Sequence, residues 1–177
     1  MERTQQLPCL RLIMKTKLII LITVLLSLTA SAQLTQEQRT VAMTLLGEAR
    51  GEGKAGMYAV ACVIAQRSIN RRMTPRQVCM EDWQFSCWNK NDPNRVKLPT
   101  LLQAHPMRHY AIQLALNMNK LDRRYTNYAD HYINPTGIRT PDHLKGKKAV
   151  RSVGKHLFYR LKKIPTDFHK KCIIINK

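Results

Sequence analysis

Two glutamates, Glu48 and Glu52, stand in the run TLLGEARGEGKAG (44–56) of a 177-residue chain that holds 11 acidic residues against 30 Lys and Arg. A carboxyl group kept beside apolar neighbours can serve as a general acid, because desolvation favours its protonated form. At about 100° per residue, Val41, Leu45 and Glu48 share one helix face, the face that must turn toward a core. The last turn of that helix adds the unfavourable field of its C-terminal carbonyls, which again favours the neutral acid. Gly47 and Gly51 flank Glu48 and read as stripping side chains from its approach, which leaves room for a ligand. The competing explanation is a structural ion pair with Arg50 or Arg67, and spacing alone leaves both open. Glu52 falls near the same face only if the helix runs on, and Gly51 puts it instead in a loop or at the start of the next helix.

The elements that must position these groups follow from capping and periodicity. Thr35 stands three residues ahead of Gln38, a capping-box arrangement that predicts a first helix from about Thr35 to Arg50. Gly51 and Gly53 break it, and KAGMYAVACVIAQRSINRR resumes as a second helix rich in Ala, Val and Ile. Pro75 begins a short turn or helix, and Asp92-Pro93-Asn94 punctuates an aromatic, turn-rich loop. A third helix is expected from about Leu98 to Lys120, with Pro106 at a kink or early turn. Beyond it, YADHYIN, HLFYRL and CIIIN are short aromatic or β-branched runs parted by Pro and Gly, which read as loops with a few short strands. The expected class is therefore mainly α (α+β), with a small strand- and loop-rich C-terminal part.

The N-terminus reads as a targeting segment. Lys15 and Lys17 precede an 11-residue run, Leu18 to Leu28, interrupted only by Thr23 and Ser27, and Ala30-Ser31-Ala32 supplies small residues for cleavage. That run is short of the roughly 20 residues that cross a bilayer. Residues 1–32 are thus expected to be a signal peptide and 33–177 one domain, exported to the periplasm or medium with no stable membrane anchor after cleavage. Residues 1–32 carry four basic and one acidic residue, which leaves 26 and 10 beyond them, a formal charge of +16. Such a balance concentrates the chain at polyanions, anionic envelope polymers among them, and specifies no chemistry. An exported chain can form disulfides, and Cys79 and Cys87, close together around an expected turn, are the favoured pair. Cys62 reads as a small buried helix residue. The chain has neither CxxC nor HExxH, so no metal and no cofactor is expected.

Five blocks in order, GEARGE, AVACVIAQR, QFSCW, ADHYIN and VGKHLFY, resemble the SleB-type cell wall hydrolases, the family of spore cortex-lytic enzymes and related bacterial and phage lysins. The resemblance spans about Val41 to Tyr159. It implies a lysozyme-like helical domain that cuts the glycan strands of peptidoglycan, in characterised relatives as a lytic transglycosylase. It implies Glu48 as the catalytic acid/base, and Gln84, Phe85 and Ser86, with Glu52, along the substrate cleft. His131 and Tyr132 match the family's HY block, and Gly154, His156 and Phe158 its GxHxF block, as support near the site. Trp88 is assigned to the cleft rim and Trp83 to the core, where a tryptophan in a small domain more often sits. Family members commonly carry a Pro-x-Trp feature after the HY block, whereas this chain has TPDHLKGKK and no tryptophan there.

The expected function is an exported lytic transglycosylase acting on the bond between N-acetylmuramic acid and N-acetylglucosamine. A muramidase-type hydrolase working with inversion would want a second carboxylate roughly 6.5 to 9.5 Å away to activate water, for which Glu52, Asp92 and Asp130 are the candidates. A non-catalytic basic protein binding an envelope polymer or nucleic acid is the rival from another class. Dispersed cations, the absence of any nucleic-acid fold signature and the export signal argue against nucleic acid as the partner.

Overall fold

A computed structural model describes residues 33–136 and 140–162. The expected signal peptide, the CIIIN run and Cys172 lie outside the described residues. The described residues from Leu34 onward form a compact unit, mainly helical, with one small antiparallel sheet among them.

The first helix, α1 (Gln36–Ala49), begins where the capping box requires. The Thr35 hydroxyl accepts from the Gln38 amide at 3.2 Å, and the Gln38 side chain accepts from the Thr35 amide at 2.9 Å. Val41, Ala42, Leu45, Leu46 and Ala49 are fully buried, and α1 packs against every other α-helix of the described residues. The second helix, α2 (Gly53–Arg71), is buried from Met57 through Arg67 apart from Tyr58, so it is the central rod of the domain. Its Met57, Val60 and Ile64 face the helices, while Ala59 and Val63 face the sheet. Small alanines along this rod let both layers approach closely.

Thr74 caps a short α3 (Pro75–Met80) with a second capping box through Gln77, and Pro75 occupies the first turn, where a missing N–H costs nothing. The third helix expected from the sequence is two helices. α4 (Leu98–Ala104) stops before His105-Pro106, and α5 (Arg108–Leu116) starts afresh behind Met107. Proline restricts the residue before it to extended backbone, and His105 adopts ψ 138°, so the chain turns there instead of kinking. Met118–Lys120 forms a separate 3-10 turn.

The sheet has the order β1-β3-β2, from β1 (His131–Ile133), β2 (Arg151–Val153) and β3 (His156–Tyr159). Its register pairs Tyr132 with Phe158 and Val153 with His156. Phe158, fully buried, packs with Ala129, Val153, Ala59 and Val63 in a second apolar cluster that seats the sheet on α2.

Cys62, Cys79 and Cys87 are all free thiols, which corrects the expected Cys79–Cys87 disulfide. Each has a polar neighbour of its own: Cys79 of α3 lies against Thr44, Cys87 abuts Gly47 on α1 and Glu48, and the Cys62 thiol donates to the Asp122 carbonyl at 3.6 Å. Burial pushes the Cys62 and Cys79 thiols up to about 12 and the Cys87 thiol higher still, so all three behave as inert core groups at neutral pH.

Candidate active site

Glu48 sits one residue from the end of α1, half-buried, and its carboxyl group receives three donors. The Cys87 backbone N–H donates to Oε1 at 3.1 Å and the Ser86 hydroxyl to the same oxygen at 3.3 Å. The Tyr132 hydroxyl donates to Oε2 at 3.1 Å. Three separated parts of the chain thus meet at one side chain: the end of α1, the 3-10 turn Ser86–Trp88, and β1.

Gly47 is what lets the 3-10 turn come this close. A Cβ at Gly47 would lie 2.7 Å from the Cys87 Cβ and 2.8 Å from its Sγ. The space expected there for a ligand is therefore filled by Cys87, and the glycine serves the approach of the backbone that holds Glu48. Gly51 is the opposite case: a Cβ there would meet nothing within 4 Å.

No ion pair reaches Glu48 among the described residues. Arg50 turns back on its own helix, donating to the carbonyls of Leu46 at 3.1 Å and Gly47 at 3.0 Å, and reaches Asn94 at 2.9 Å. It satisfies carbonyls that the helix end leaves without partners and offsets the negative end of the dipole beneath Glu48. Arg67, 5% exposed, gives its Nε–H to the Asp130 carbonyl at 2.6 Å and holds its guanidinium 5.2 Å from the Phe85 ring centroid.

The remaining acids expected near the cleft are engaged by backbone amides. Glu52 Oε2 accepts from Lys155 N at 2.8 Å, in the turn between β2 and β3. Gly154 in that turn has φ +57°, and a Cβ there would fall 2.5 Å from the Glu52 oxygen, so only glycine fits. Glu52 thereby fastens the hairpin to the start of α2. Asp130, 2% exposed, accepts from Leu161 N at 2.9 Å, Lys162 N at 3.0 Å and the His131 ring at 2.9 Å. Burial alone would raise its pKa, but these hydrogen bonds outweigh it and hold the carboxyl below its ordinary range. Asp92 Oδ1 caps its own loop through Asn94 N at 2.7 Å.

Of the other residues expected in the cleft, Ser86 and Tyr132 touch Glu48 and Trp88 stands next to them. Trp88 donates its indole N–H to Thr44 at 2.8 Å, one turn before Glu48. Phe85 is 2% exposed and belongs to the core, and Gln84 accepts from Arg71 at 2.9 Å, so neither presents its side chain to Glu48. A bulky aromatic between polar neighbours packs inward because its area is worth more buried than wet. His131 is partly exposed, bound to Asp130, and its ring lies 5.5 Å from that of His143. Trp83 is 85% exposed, contrary to its expected place in the core.

Behind Tyr132 stands a support that its motif only hinted at. The His156 ring meets Tyr132 edge-on at 5.0 Å between centroids, and Phe158 lies 5.8 Å from the same ring. Burial lowers the His156 pKa, against the pull of Glu52 and Glu48, so its imidazole is neutral. Burial and then the charge of Glu48 push the Tyr132 phenol well above its ordinary range, so it remains a proton-bearing partner of the glutamate. The Cys87 amide was invisible to a reading of side-chain types, since any residue supplies an N–H; the small residue at 47 was its one trace in the sequence.

Residues 51–159 match the Cell Wall Hydrolase family (Hydrolase_2). No curated protein sequence matches the chain. Among solved structures, the chain resembles the catalytic domain of the germination-specific lytic transglycosylase SleB from Bacillus anthracis, with 22% sequence identity and a TM-score of 0.56. The likeness covers 75% of this chain and 100% of that one, and it shows a common lysozyme-like, mainly α fold.

Proposed function

The chain belongs to the cell wall hydrolase family, enzymes that cleave peptidoglycan, and from that premise we propose that it is a lytic transglycosylase whose acid/base is Glu48. The observation that supports this reading is the setting of Glu48: three hydrogen-bond donors, no ion pair to an arginine among the described residues, and every other acid considered for the cleft bonded to a backbone amide.

The two carboxyl oxygens divide the work. Oε1 is held by the Cys87 N–H, a donor that cannot reverse, so Oε1 stays an acceptor throughout. Oε2 faces the Tyr132 hydroxyl, which can rotate to donate to the carboxylate or to accept from the acid. When Glu48 acts as the acid, the proton it gives is therefore the one on Oε2. It passes to the bridging oxygen between N-acetylmuramic acid and N-acetylglucosamine as the bond from that oxygen to the muramic C1 breaks, with oxocarbenium character at C1. The carboxylate left behind takes the proton of the muramic C6 hydroxyl, whose oxygen closes on C1. A 1,6-anhydro ring and a free 4-hydroxyl result, no water is consumed, and Glu48 ends protonated as it began. Hydrolysis with inversion needs a second carboxylate free to act as the base for water. The engagement of Glu52, Asp92 and Asp130 with backbone amides favours the ring-closing route.

We also assign residues 1–32 to a cleaved export signal and 33–177 to the enzyme, which places the activity in the periplasm or outside the cell, where its substrate lies. The peptidoglycan glycan strand is the partner, and the positive charge holds the enzyme near an acidic envelope.

The test is Glu48→Gln on purified sacculi. The variant is expected to bind them and release no soluble fragments, and the wild-type products are expected one water lighter by mass than reducing-end fragments. Fragment release by the variant at the wild-type rate would refute the assignment of Glu48. Products with reducing ends would convert the reading to a hydrolase.

A further inference from the structure

Beyond Trp88 the surface opens into a groove of about 800 Å³, lined on one side by Met80–Trp83 and on the other by Trp88–Pro93 and Arg95. Glu48 is not part of its wall, yet the groove starts at the residue after Cys87, whose amide holds the acid. Its volume is in the range of pockets that take small organic ligands.

Trp83 stands over this groove in a conformation that folding does not explain. It is the third residue of a turn closed by Gln84 N to the Glu81 carbonyl at 3.2 Å, and its φ is +64°. Glycine or asparagine suits such a position, and for a bulky side chain it is a costly outlier. The indole gains no burial in return, being 85% exposed. An exposed tryptophan kept in strained backbone at the lip of a groove is suited to a flat ligand face.

We propose that this groove is a saccharide subsite, with the Trp83 indole stacking on a pyranose ring of the glycan strand beyond the residues bound at Glu48. The inference rests on the reading of the chain as a glycan-cleaving enzyme. A linear glycan extends past the bond that is cut, and the groove adjoins the acid through Trp88, which is fixed to α1 by its bond to Thr44. The wall has the composition that N-acetylated sugars select: an aromatic face for the ring's C–H groups, and the side-chain amides of Asn89 and Asn91 for hydroxyl and acetamido groups. Lys90 and Arg95 stand in the same wall as the carboxylates of Glu81, Asp82 and Asp92, a mixed set of charges able to hydrogen-bond sugar hydroxyls.

The experiment measures binding and is independent of cleavage. Glycan strands freed of stem peptides by an amidase are sized into short (two sugars) and long (eight sugars) fractions and titrated by calorimetry against the Glu48→Gln protein, with and without Trp83→Ala or Trp83→Phe. The expected result is an affinity for long strands that falls about tenfold with Trp83→Ala and less with Trp83→Phe, with short strands unaffected. Circular dichroism checks that the variants fold, which an exposed side chain makes the expected outcome. Equal affinity of Trp83→Ala and its parent for long strands overturns the subsite. So does an absence of binding by the parent, or a loss seen only with strands that keep their peptides, which would make the groove a peptide site. Retention of cleavage by Glu48→Gln would refute the acid and leave the binding result to stand by itself.

Discussion

The Tyr132 hydroxyl lies 3.1 Å from Glu48 Oε2 across 84 positions of sequence, and this contact ties the sheet directly to the end of α1. The ring that carries it is braced by His156 and Phe158 on the neighbouring strand. Tyr132→Phe removes the hydroxyl and keeps the packing. Its kcat on peptidoglycan is expected to fall about tenfold or more, the scale of a hydrogen bond to a charged group, with a melting temperature close to that of the parent. A steady-state assay beside a thermal melt checks this, and an unchanged kcat would remove Tyr132 from the proton path.

Gly47→Ala sets a methyl group 2.7 Å from the Cys87 Cβ, so the 3-10 turn must retreat from α1. A stability loss of about 1–3 kcal/mol by denaturant unfolding is expected, together with a loss of activity larger than stability accounts for. Gly51→Ala, with open space around it, is expected to be neutral or stabilising by up to about 1 kcal/mol.

Glu52→Gln keeps an oxygen for the Lys155 N–H and removes the charge. Activity within a fewfold of the parent is expected if Glu52 only holds the hairpin. A fall of a hundredfold or more would restore it as a base for water.

His156 makes stability depend on pH. Its folded pKa is depressed below 6.5 by burial, with Glu52 and Glu48 opposing, so the unfolded chain binds the proton more readily. The contribution is complete above the unfolded value and is lost as pH falls from about 6.5 toward the folded value. Melting temperatures recorded from pH 7.5 down to 5 are expected to fall more steeply for the parent than for His156→Phe, which cannot titrate. Parallel curves would exclude the linkage.

Much of this site was legible in the sequence wherever local chemistry is strong. The Thr35–Gln38 box fixed the start of α1, and the spacing of Val41, Leu45 and Glu48 put the acid on the inward face. β2 went unseen because Arg151 and Ser152 are exposed and only Val153 is buried, which leaves no alternating pattern to read. Gln84, Phe85 and Ser86 are consecutive in one motif, yet only Ser86 reaches Glu48, because a tight turn sends successive side chains to Arg71, to the core and to the cleft. The bond that Glu52 makes left no trace for a different reason: its partner is a backbone amide 103 residues away, and amides carry no sequence signature.

The brace behind Glu48 is assembled from the far end of the domain, since β1 is held in place by β3, which ends at Tyr159. A growing or partly threaded chain that has not yet delivered that strand possesses the acid without its Tyr132 partner. The hydrogen-bond set of Glu48 is thus completed only when the last strand of the described fold has joined the sheet.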